Sequence, residues 1–256
     1  NFNYSFPETF PTYRDDEGKN GVSFNKISAS SKENIVSTFD YLAGILNLNF
    51  TQDQNSDQLN NIAIWVADLE EGVGGNADGP WDNFAASDVR LDKNYKEIQE
   101  GEYSAHVFIH ELGHALGLKH PFSSAGATGG VADPPYLSAT EDKSKWTQMT
   151  YNDTSADYYF EFSPLDIAAL QYLYGVNPAT RAGDDTYSYT STGANFIWDG
   201  AGTDTIDASS STGKVTIYLE PGYWGYGGNT KAETITTAGQ ITVNFGTTIE
   251  NLTGSD

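Results

Sequence analysis

Four histidines lie within fifteen residues, at His106, His110, His114 and His120. The last three form the pattern H-E-x-x-H-x-x-G-x-x-H. On a helix, His110 and His114 project from one face about 6 Å apart along the axis, so that both imidazoles can reach one zinc ion. His120 can approach the same ion from another side once Gly117 has ended the helix in a left-handed conformation.

This spacing predicts a catalytic rather than a structural zinc site, because three neutral imidazoles leave a fourth coordination position for water. Glu111 directly follows the first ligand and can reach that water as a general base. His106 lies one turn before His110, and we expect it to support the site or lie on the surface rather than bind the metal. The chain contains no cysteine, which excludes thiolate ligands, disulfides and cysteine nucleophiles.

The sequence predicts three helices: one before the histidine motif, one that carries its first two histidines and one after it. A capping box at Ser30–Glu33 and apolar residues at helical spacing predict the first helix. Ser163 as N-cap, followed by Pro164 and an acidic first turn, predicts the last. The three predicted helices span residues 31–46, 103–116 and 164–174.

Strand patterns divide the chain into two predicted domains. Residues 62–67 and 87–92 are rich in β-formers, whereas residues 72–79 have the composition of a glycine-rich turn. After Pro178 the helical patterns cease, and short strands such as Lys214–Leu219 and Gln240–Phe245 alternate with Gly, Ser and Asp. We therefore predict one domain over residues 1–178 and an all-β domain over residues 179–256.

The extended histidine pattern resembles the signature of the metzincin metallopeptidases. Further features resemble the serralysin family of secreted bacterial zinc metalloproteases: Pro121 directly follows His120, and Tyr151 lies two residues after Met149. Met149 is the one methionine of the chain and lies where such enzymes carry a turn beneath the zinc. Residues 165–175 resemble the helix that closes the family's catalytic domain, and the stretch after them resembles the start of its calcium-binding β-roll.

The resemblance implies a fold and a mechanism. The fold is an α/β metzincin catalytic domain, with a twisted, mostly parallel sheet plus helices, followed by an all-β calcium-binding sandwich or roll. Zinc and Glu111 would activate the bound water, and Glu111 would then carry the proton to the leaving amine. Tyr151 would be an additional zinc ligand at rest and would stabilise the oxyanion together with zinc; its alternative is a packed core tyrosine. An extended substrate would pair with an exposed sheet edge in the region of residues 75–92, which implies broad protein substrates.

Residues 200–206 contain G-x-G-x-D-x-Ile, a near-match to the calcium-binding nonapeptide of RTX proteins. Taken alone, such a segment is more often a plain turn than a calcium site. The resemblance implies calcium ligation here, with backbone carbonyls from all the ligands except the acidic ones. The implied calcium ligands are Arg181, Gly183, Asp185, Asp199, Ala201, Gly202, Asp204, Thr248 and Glu250. The repeat stack is missing, so we expect either a truncated or processed form or a lineage with a shortened RTX-type C-terminal part.

The composition limits the classes of partner that the protein is expected to bind. With 13 basic and 35 acidic residues the formal net charge is −22, which disfavours nucleic acid and anionic membranes as partners. No apolar run is long enough for a transmembrane helix. We expect a monomer that is secreted into the extracellular medium of a bacterium, carries zinc and structural calcium, and acts on proteins or peptides.

Two other functions remain open. One is a non-catalytic calcium-dependent binding or adhesion module, which the acidic β segment favours. The other is a zinc hydrolase that acts on a non-protein substrate. The intact set of His110, Glu111, His114 and His120 argues against the first, since a binding module has no need of a base beside an open metal site.

Overall fold

The chain divides into two units in a computed structural model that describes residues 1–14, 23–55, 61–78, 87–125, 130–152 and 158–255. The first unit comprises Asn1–Ala43, Leu48–Leu137 and Asp142–Asp166; the second comprises Gly44–Asn47, Ser138–Glu141 and Ile167–Asp256. The predicted division at residue 178 stays a prediction.

The first unit is built on a six-stranded mixed sheet. Its strands are β1 (Phe2–Ser5), β2 (Phe24–Asn25), β3 (Phe50–Gln52), β4 (Asn61–Ala67), β5 (Gly75–Ala77) and β6 (Val89–Asp92). The order is β3-β1-β4-β6-β5, with β2 also pairing β4. Pairs β1–β3, β1–β4 and β4–β6 are parallel, whereas β5 and β2 pair antiparallel with their neighbours. Every residue of β4 is buried, as expected for a central parallel strand.

Strand β5 corrects one expectation. Residues 72–79 had the composition of a turn, but residues 75–77 form a strand that pairs with β6 through Gly75–Leu91 and Ala77–Val89. Glycine carries no β-propensity, so the pairing with β6 rather than local sequence makes this segment extended. The strand ends the order of the sheet among the described residues, which agrees with the expected exposed edge. Residues 79–86 of the predicted edge region lie outside the described residues.

The three predicted helices are confirmed as α1 (Ala29–Ile45), α2 (Tyr103–Ala115) and α3 (Pro164–Tyr174). The predicted N-cap of α1 is wrong: Ser28, rather than Ser30, accepts a hydrogen bond from the Ser31 amide at 3.3 Å. The hydroxyl of Ser31 instead accepts the Ile98 amide at 2.8 Å and so ties α1 to the loop before α2. None of the helices among the described residues combines the length and apolar character needed to cross a bilayer.

Helix α2 packs against the sulfur of Met149 at Gly113. Met149 is buried, and a Cβ built on Gly113 would overlap its Sδ and lie 3.3 Å from the Phe162 ring. Only a glycine therefore lets the helix and the methionine approach so closely. Gly113 lies immediately before His114, so this contact holds the histidine-bearing turn of α2 against the segment around Met149.

The second unit is all-β after α3. Its strands are β7 (Thr186–Ser188), β8 (Asn195–Ile197), β9 (Thr205–Asp207), β10 (Val215–Thr216), β11 (Trp224–Gly227), β12 (Gln240–Val243) and β13 (Asn251–Thr253). They form a four-stranded sheet, β10-β11-β12-β8, and a three-stranded parallel sheet, β13-β9-β7. Ile197 and Ile241 from the first sheet share one apolar cluster with Ile206 from the second. The sandwich or roll arrangement of these sheets stays a prediction.

We expect Gly113→Ala to lower the free energy of unfolding by about 1–2 kcal/mol. Overpacking against Met149 costs about 1–3 kcal/mol, and the better helix propensity of alanine returns up to about 1 kcal/mol. Urea denaturation of the full chain, followed by circular dichroism, measures the difference.

Gly44→Ala is the matched control, because Gly44 is also helical but has no atom within 4 Å of the position that a Cβ would take. That change should stabilise the chain by up to about 1 kcal/mol. Equal effects of the two substitutions would contradict a specific contact between Gly113 and Met149.

Candidate metal centre

The imidazoles of His110, His114 and His120 converge on one point. Helix α2 places the rings of His110 and His114 with centroids 4.8 Å apart. The Nε2 atom of His120 lies 3.0 Å from Nε2 of each of the other two. The three residues form one of the groups among the described residues whose ligand atoms lie close enough to share a metal ion. The triad predicted from the sequence is therefore brought together.

Gly117 returns the chain toward the helix, as the sequence predicted. Its φ of +99° is left-handed, and the Leu118 amide donates to the Gly113 carbonyl at 2.9 Å while the Gly117 amide donates to that of His114. These bonds satisfy the last carbonyls of the helix. The reversal brings the Leu118 carbonyl to Nδ1 of His114 and His120 to the two helical imidazoles.

Hydrogen bonds fix the tautomers of two of the three histidines. Nδ1 of His110 lies 2.8 Å from the carbonyl oxygen of Gln148, and Nδ1 of His114 lies 2.8 Å from that of Leu118. Because a carbonyl only accepts, both Nδ1 atoms carry the proton and both Nε2 atoms present a lone pair. Burial lowers the pKa of His110 well below its usual value and that of His114 to about 4, so both rings are neutral at pH 7.

This donor set fits zinc. Nitrogen ligands at about 2.0–2.1 Å in a tetrahedron lie about 3.3 Å from one another, close to the 3.0 Å between the Nε2 atoms. Nε2 of His110 and Nε2 of His114 are both acceptors. They turn toward the same point, where a cation resolves the repulsion between their lone pairs.

Glu111 lies in a cavity of about 510 Å³ beside the triad. The cavity is lined by Gly72, Val73, Gly74, Gly75, Tyr103, His106, Val107, His110, Glu111, Thr150 and Tyr151. Burial raises the pKa of Glu111 to about 8, and the positive charge of Arg90 acts in the opposite direction. A cation held by the neighbouring histidines favours the ionised carboxylate in the same way as Arg90 does.

Edge strand β5 packs directly on Glu111. A Cβ built on Gly75 would lie 2.7 Å from Cγ of Glu111 and 2.9 Å from Cγ1 of Val107. A side chain at residue 75 would therefore displace the glutamate. The sheet edge and the candidate base are in contact because this residue is a glycine, a role that no sequence motif indicated.

The ring of Tyr151 contacts the imidazoles of His110 and His120. Its ring centroid lies 5.6 Å from that of His110 and 4.7 Å from that of His120, and 57% of the residue is exposed. Partial burial and the nearby Glu111 raise the pKa of its hydroxyl, which favours the protonated, hydrogen-bond-donating form. Its exposure excludes the alternative of a packed core tyrosine.

Residues around Met149 support the triad in ways that no sequence motif indicated. The backbone carbonyl of Gln148 accepts from His110, and its side-chain Oε1 lies 2.8 Å from Nδ1 of His106. His106 is thus a buried supporting residue, and its expected alternative on the surface is wrong. Asp166, predicted only as a first-turn acid of α3, accepts from the Gln148 amide at 2.6 Å.

A second cluster of acidic residues lies in the other unit. One carboxylate oxygen from each of Asp185, Asp199 and Asp204 lies within 4.8 Å of the others. Asp204 Oδ2 is buried and has no hydrogen-bond partner among the described residues. Burial and the charges of Asp204 and Asp185 raise the pKa of Asp199, although the Tyr187 hydroxyl and the Ala201 amide act against this. Three carboxylate oxygens this close together, two of them from buried residues, fit a hard cation such as Ca²⁺.

Direct contacts join some of the other implied calcium ligands to this cluster, as the Ala201 amide does by donating to Asp199 at 2.9 Å. A Cβ on Gly202 would overlap the Gly183 carbonyl oxygen, so that these two loops meet. Oε2 of Glu250 accepts the Asp204 amide at 2.7 Å. Arg181 has the left-handed φ of +50° and lays its guanidinium over the Trp198 ring. Thr248 is exposed, two residues before Glu250.

Comparisons with known proteins agree with this geometry. No family model matches the chain. Serralysin C of Dickeya chrysanthemi is 35% identical over 201 residues, which cover 70% of this chain and 39% of the relative. Serralysin B of the same organism is 30% identical over 254 residues, which cover 91% of this chain and 48% of the relative. Metalloprotease AprA of Pseudomonas entomophila is 35% identical over 182 residues, which cover 60% of this chain and 35% of the relative.

The chain spans less than half the length of each of these relatives. The similarity to Serralysin B nevertheless extends over almost all of the chain, and the histidine triad and the mixed sheet agree with it. The chain belongs to the serralysin family.

Proposed function

We propose that the chain is a secreted bacterial zinc endopeptidase that hydrolyses peptide bonds of proteins. The observation that carries this proposal is the convergence of three imidazole Nε2 atoms beside a buried glutamate in an open cavity. A purely structural zinc site would be closed by a fourth protein ligand, and it would need neither a base nor a cavity.

His110, His114 and His120 would hold the zinc ion through Nε2. When bound there, zinc supplies a Lewis acid that lowers the pKa of water and polarises a carbonyl group. Glu111 receives a proton from the attacking water and later delivers it to the leaving amine. Tyr151 donates a hydrogen bond from its hydroxyl to the oxyanion that develops on the substrate.

The substrate would lie along β5. This strand pairs with β6 on one side, and its other side is the edge of the described sheet. An extended peptide paired with that edge would pass the cavity that Glu111 lines, because Gly75 of β5 touches Glu111. Recognition through main-chain hydrogen bonds gives little selectivity for side chains, which supports a broad range of protein substrates.

Calcium would stabilise the second unit. Asp185, Asp199 and Asp204 approach one another closely although they come from three separate segments of chain. Mutual repulsion of the carboxylates opposes this fold unless a divalent cation occupies the cluster. We infer a structural role, since the cluster belongs to the unit that lacks the histidine triad.

Glu111→Ala is expected to retain zinc at the wild-type stoichiometry but to lower casein hydrolysis by about 100- to 10,000-fold, because the proton acceptor is lost. A casein assay with metal analysis measures both quantities, and o-phenanthroline should abolish wild-type activity. Glu102→Ala, at an exposed glutamate that caps α2 without a side-chain hydrogen bond, is the control.

Undiminished turnover by the Glu111→Ala variant would disprove the mechanism. A wild-type chain that binds zinc but leaves casein intact would favour a non-protein substrate, and a chain without zinc would favour the binding module.

Tyr151→Phe should lower kcat by about 10- to 100-fold with little change in KM, since the lost hydrogen bond forms only as the oxyanion develops. Steady-state kinetics of the zinc-loaded variant on a fluorogenic peptide measures the split. Tyr159→Phe, at a tyrosine of similar exposure, 55% against 57%, should behave as wild type. Wild-type kcat in Tyr151→Phe would show that this hydroxyl takes no part in the reaction.

Added calcium should raise the melting temperature of the second unit, because a ligand at 100 times its Kd stabilises the folded state by about 2.7 kcal/mol. Differential scanning calorimetry at increasing calcium chloride measures the shift. Asp204→Asn should reduce the shift strongly, whereas Asp207→Asn, at a nearby aspartate outside the cluster, should keep it. A calcium shift that Asp204→Asn leaves unchanged would place the ion elsewhere.

A further inference from the structure

We propose that Gln148, paired with His106, is a positioning residue for the metal ligand His110. Its backbone carbonyl accepts the His110 Nδ1–H at 2.8 Å, and its side chain is held by a second histidine one helical turn away. The proposal rests on the proposed zinc site and adds two residues that no ligand motif contains.

The polar groups of Gln148 have partners that fix its orientation. Its amide Nε2 donates to the Ser163 hydroxyl at 2.8 Å and to the Ser144 carbonyl at 3.2 Å. The Ser163 hydroxyl itself donates to the Ser144 carbonyl at 2.6 Å, so it can only accept from Gln148. The amide nitrogen must therefore face Ser144 and Ser163, and the amide oxygen must face His106.

The orientation of the amide determines the tautomer of His106. Because Oε1 of Gln148 only accepts, Nδ1 of His106 carries the proton in the 2.8 Å contact. His106 and His110 lie four residues apart on α2 and thus on one face of the helix. Both donate Nδ1–H to the same residue, one to its side chain and the other to its backbone.

The backbone amide of Gln148 is anchored by Asp166. Its amide donates to Asp166 Oδ2 at 2.6 Å, and Asp166 Oδ1 accepts the Thr147 hydroxyl at 2.7 Å. Asp166 is buried and also accepts the Ser163 amide at 3.2 Å. The carbonyl that orients His110 therefore belongs to a residue restrained at its amide and at its side chain.

Outer partners of a ligand histidine set its ring orientation and basicity, and their loss typically lowers metal affinity 10- to 100-fold. Substituting the Gln148 side chain leaves the carbonyl in the chain but releases the restraint from His106, Ser144 and Ser163. A merely structural glutamine would change stability and leave zinc affinity alone. A positioning residue changes the zinc affinity itself.

The test compares Gln148→Met, His106→Phe and the double variant of this chain with wild type. Zinc competition against a chelating dye measures the affinity, and thermal unfolding without metal measures the stability. Methionine keeps the length of glutamine, and phenylalanine keeps a ring, while each removes one side of the hydrogen bond. Gln171→Met is the matched control, since Gln171 is a buried glutamine that hydrogen-bonds to Asn244 in the second unit.

We expect each single variant to raise the Kd for zinc about tenfold or more above wild type and above Gln171→Met. The double variant should bind zinc no more than about threefold more weakly than the single ones, because both act through one shared hydrogen bond.

If the single variants bind zinc within about threefold of the Gln171→Met control, the positioning role is overturned. If the loss of zinc affinity in the double variant is the product of the two single losses, Gln148 and His106 do not act through one hydrogen bond. Should Gln148→Met fail to fold, His106→Phe decides by the same criterion. Weak zinc binding by the wild-type chain would instead overturn the proposed function and this inference with it.

Discussion

The convergence of His110, His114 and His120 sets the strongest constraint on the structure. The lone pairs on Nε2 of His110 and Nε2 of His114 both face Nε2 of His120 at 3.0 Å, an arrangement that a bound cation would stabilise. The arrangement holds because the opposite nitrogens of two of the rings donate to the carbonyls of Gln148 and Leu118. The turn at Gly117 positions the Leu118 carbonyl, and the segment before Met149 positions the Gln148 carbonyl.

Close approaches at glycine serve the same end. Gly113 admits the Met149 sulfur beneath the histidine-bearing turn, and Gly75 admits the sheet edge against Glu111. At both positions the absence of a Cβ lets helix α2 and another element approach closely. His110, His114 and Glu111 therefore lie on a helix that packs against Met149 at one position and against β5 at another.

Local patterns predicted the parts of this protein that depend on local physics. Helix α2 and the face shared by His110 and His114 follow from a periodicity of 3.6 residues, and the buried strand Asn61–Ala67 follows from its apolar run. The same reasoning failed at Gly75–Ala77, which is a strand only because β6 pairs with it. It also placed the cap of α1 at Ser30, although the hydroxyl of Ser28 reaches the first turn.

The sequence by itself determined the proposed chemistry, since three histidines and a glutamate at these spacings within eleven residues indicate a zinc site with Glu111 beside it. Only the tertiary structure decided what supports that chemistry. His110 meets Gln148 across 38 residues, and Gln148 meets Asp166 across 18. Such contacts join segments with no common periodicity, so they arise from the packing of the folded chain and from no pattern within it.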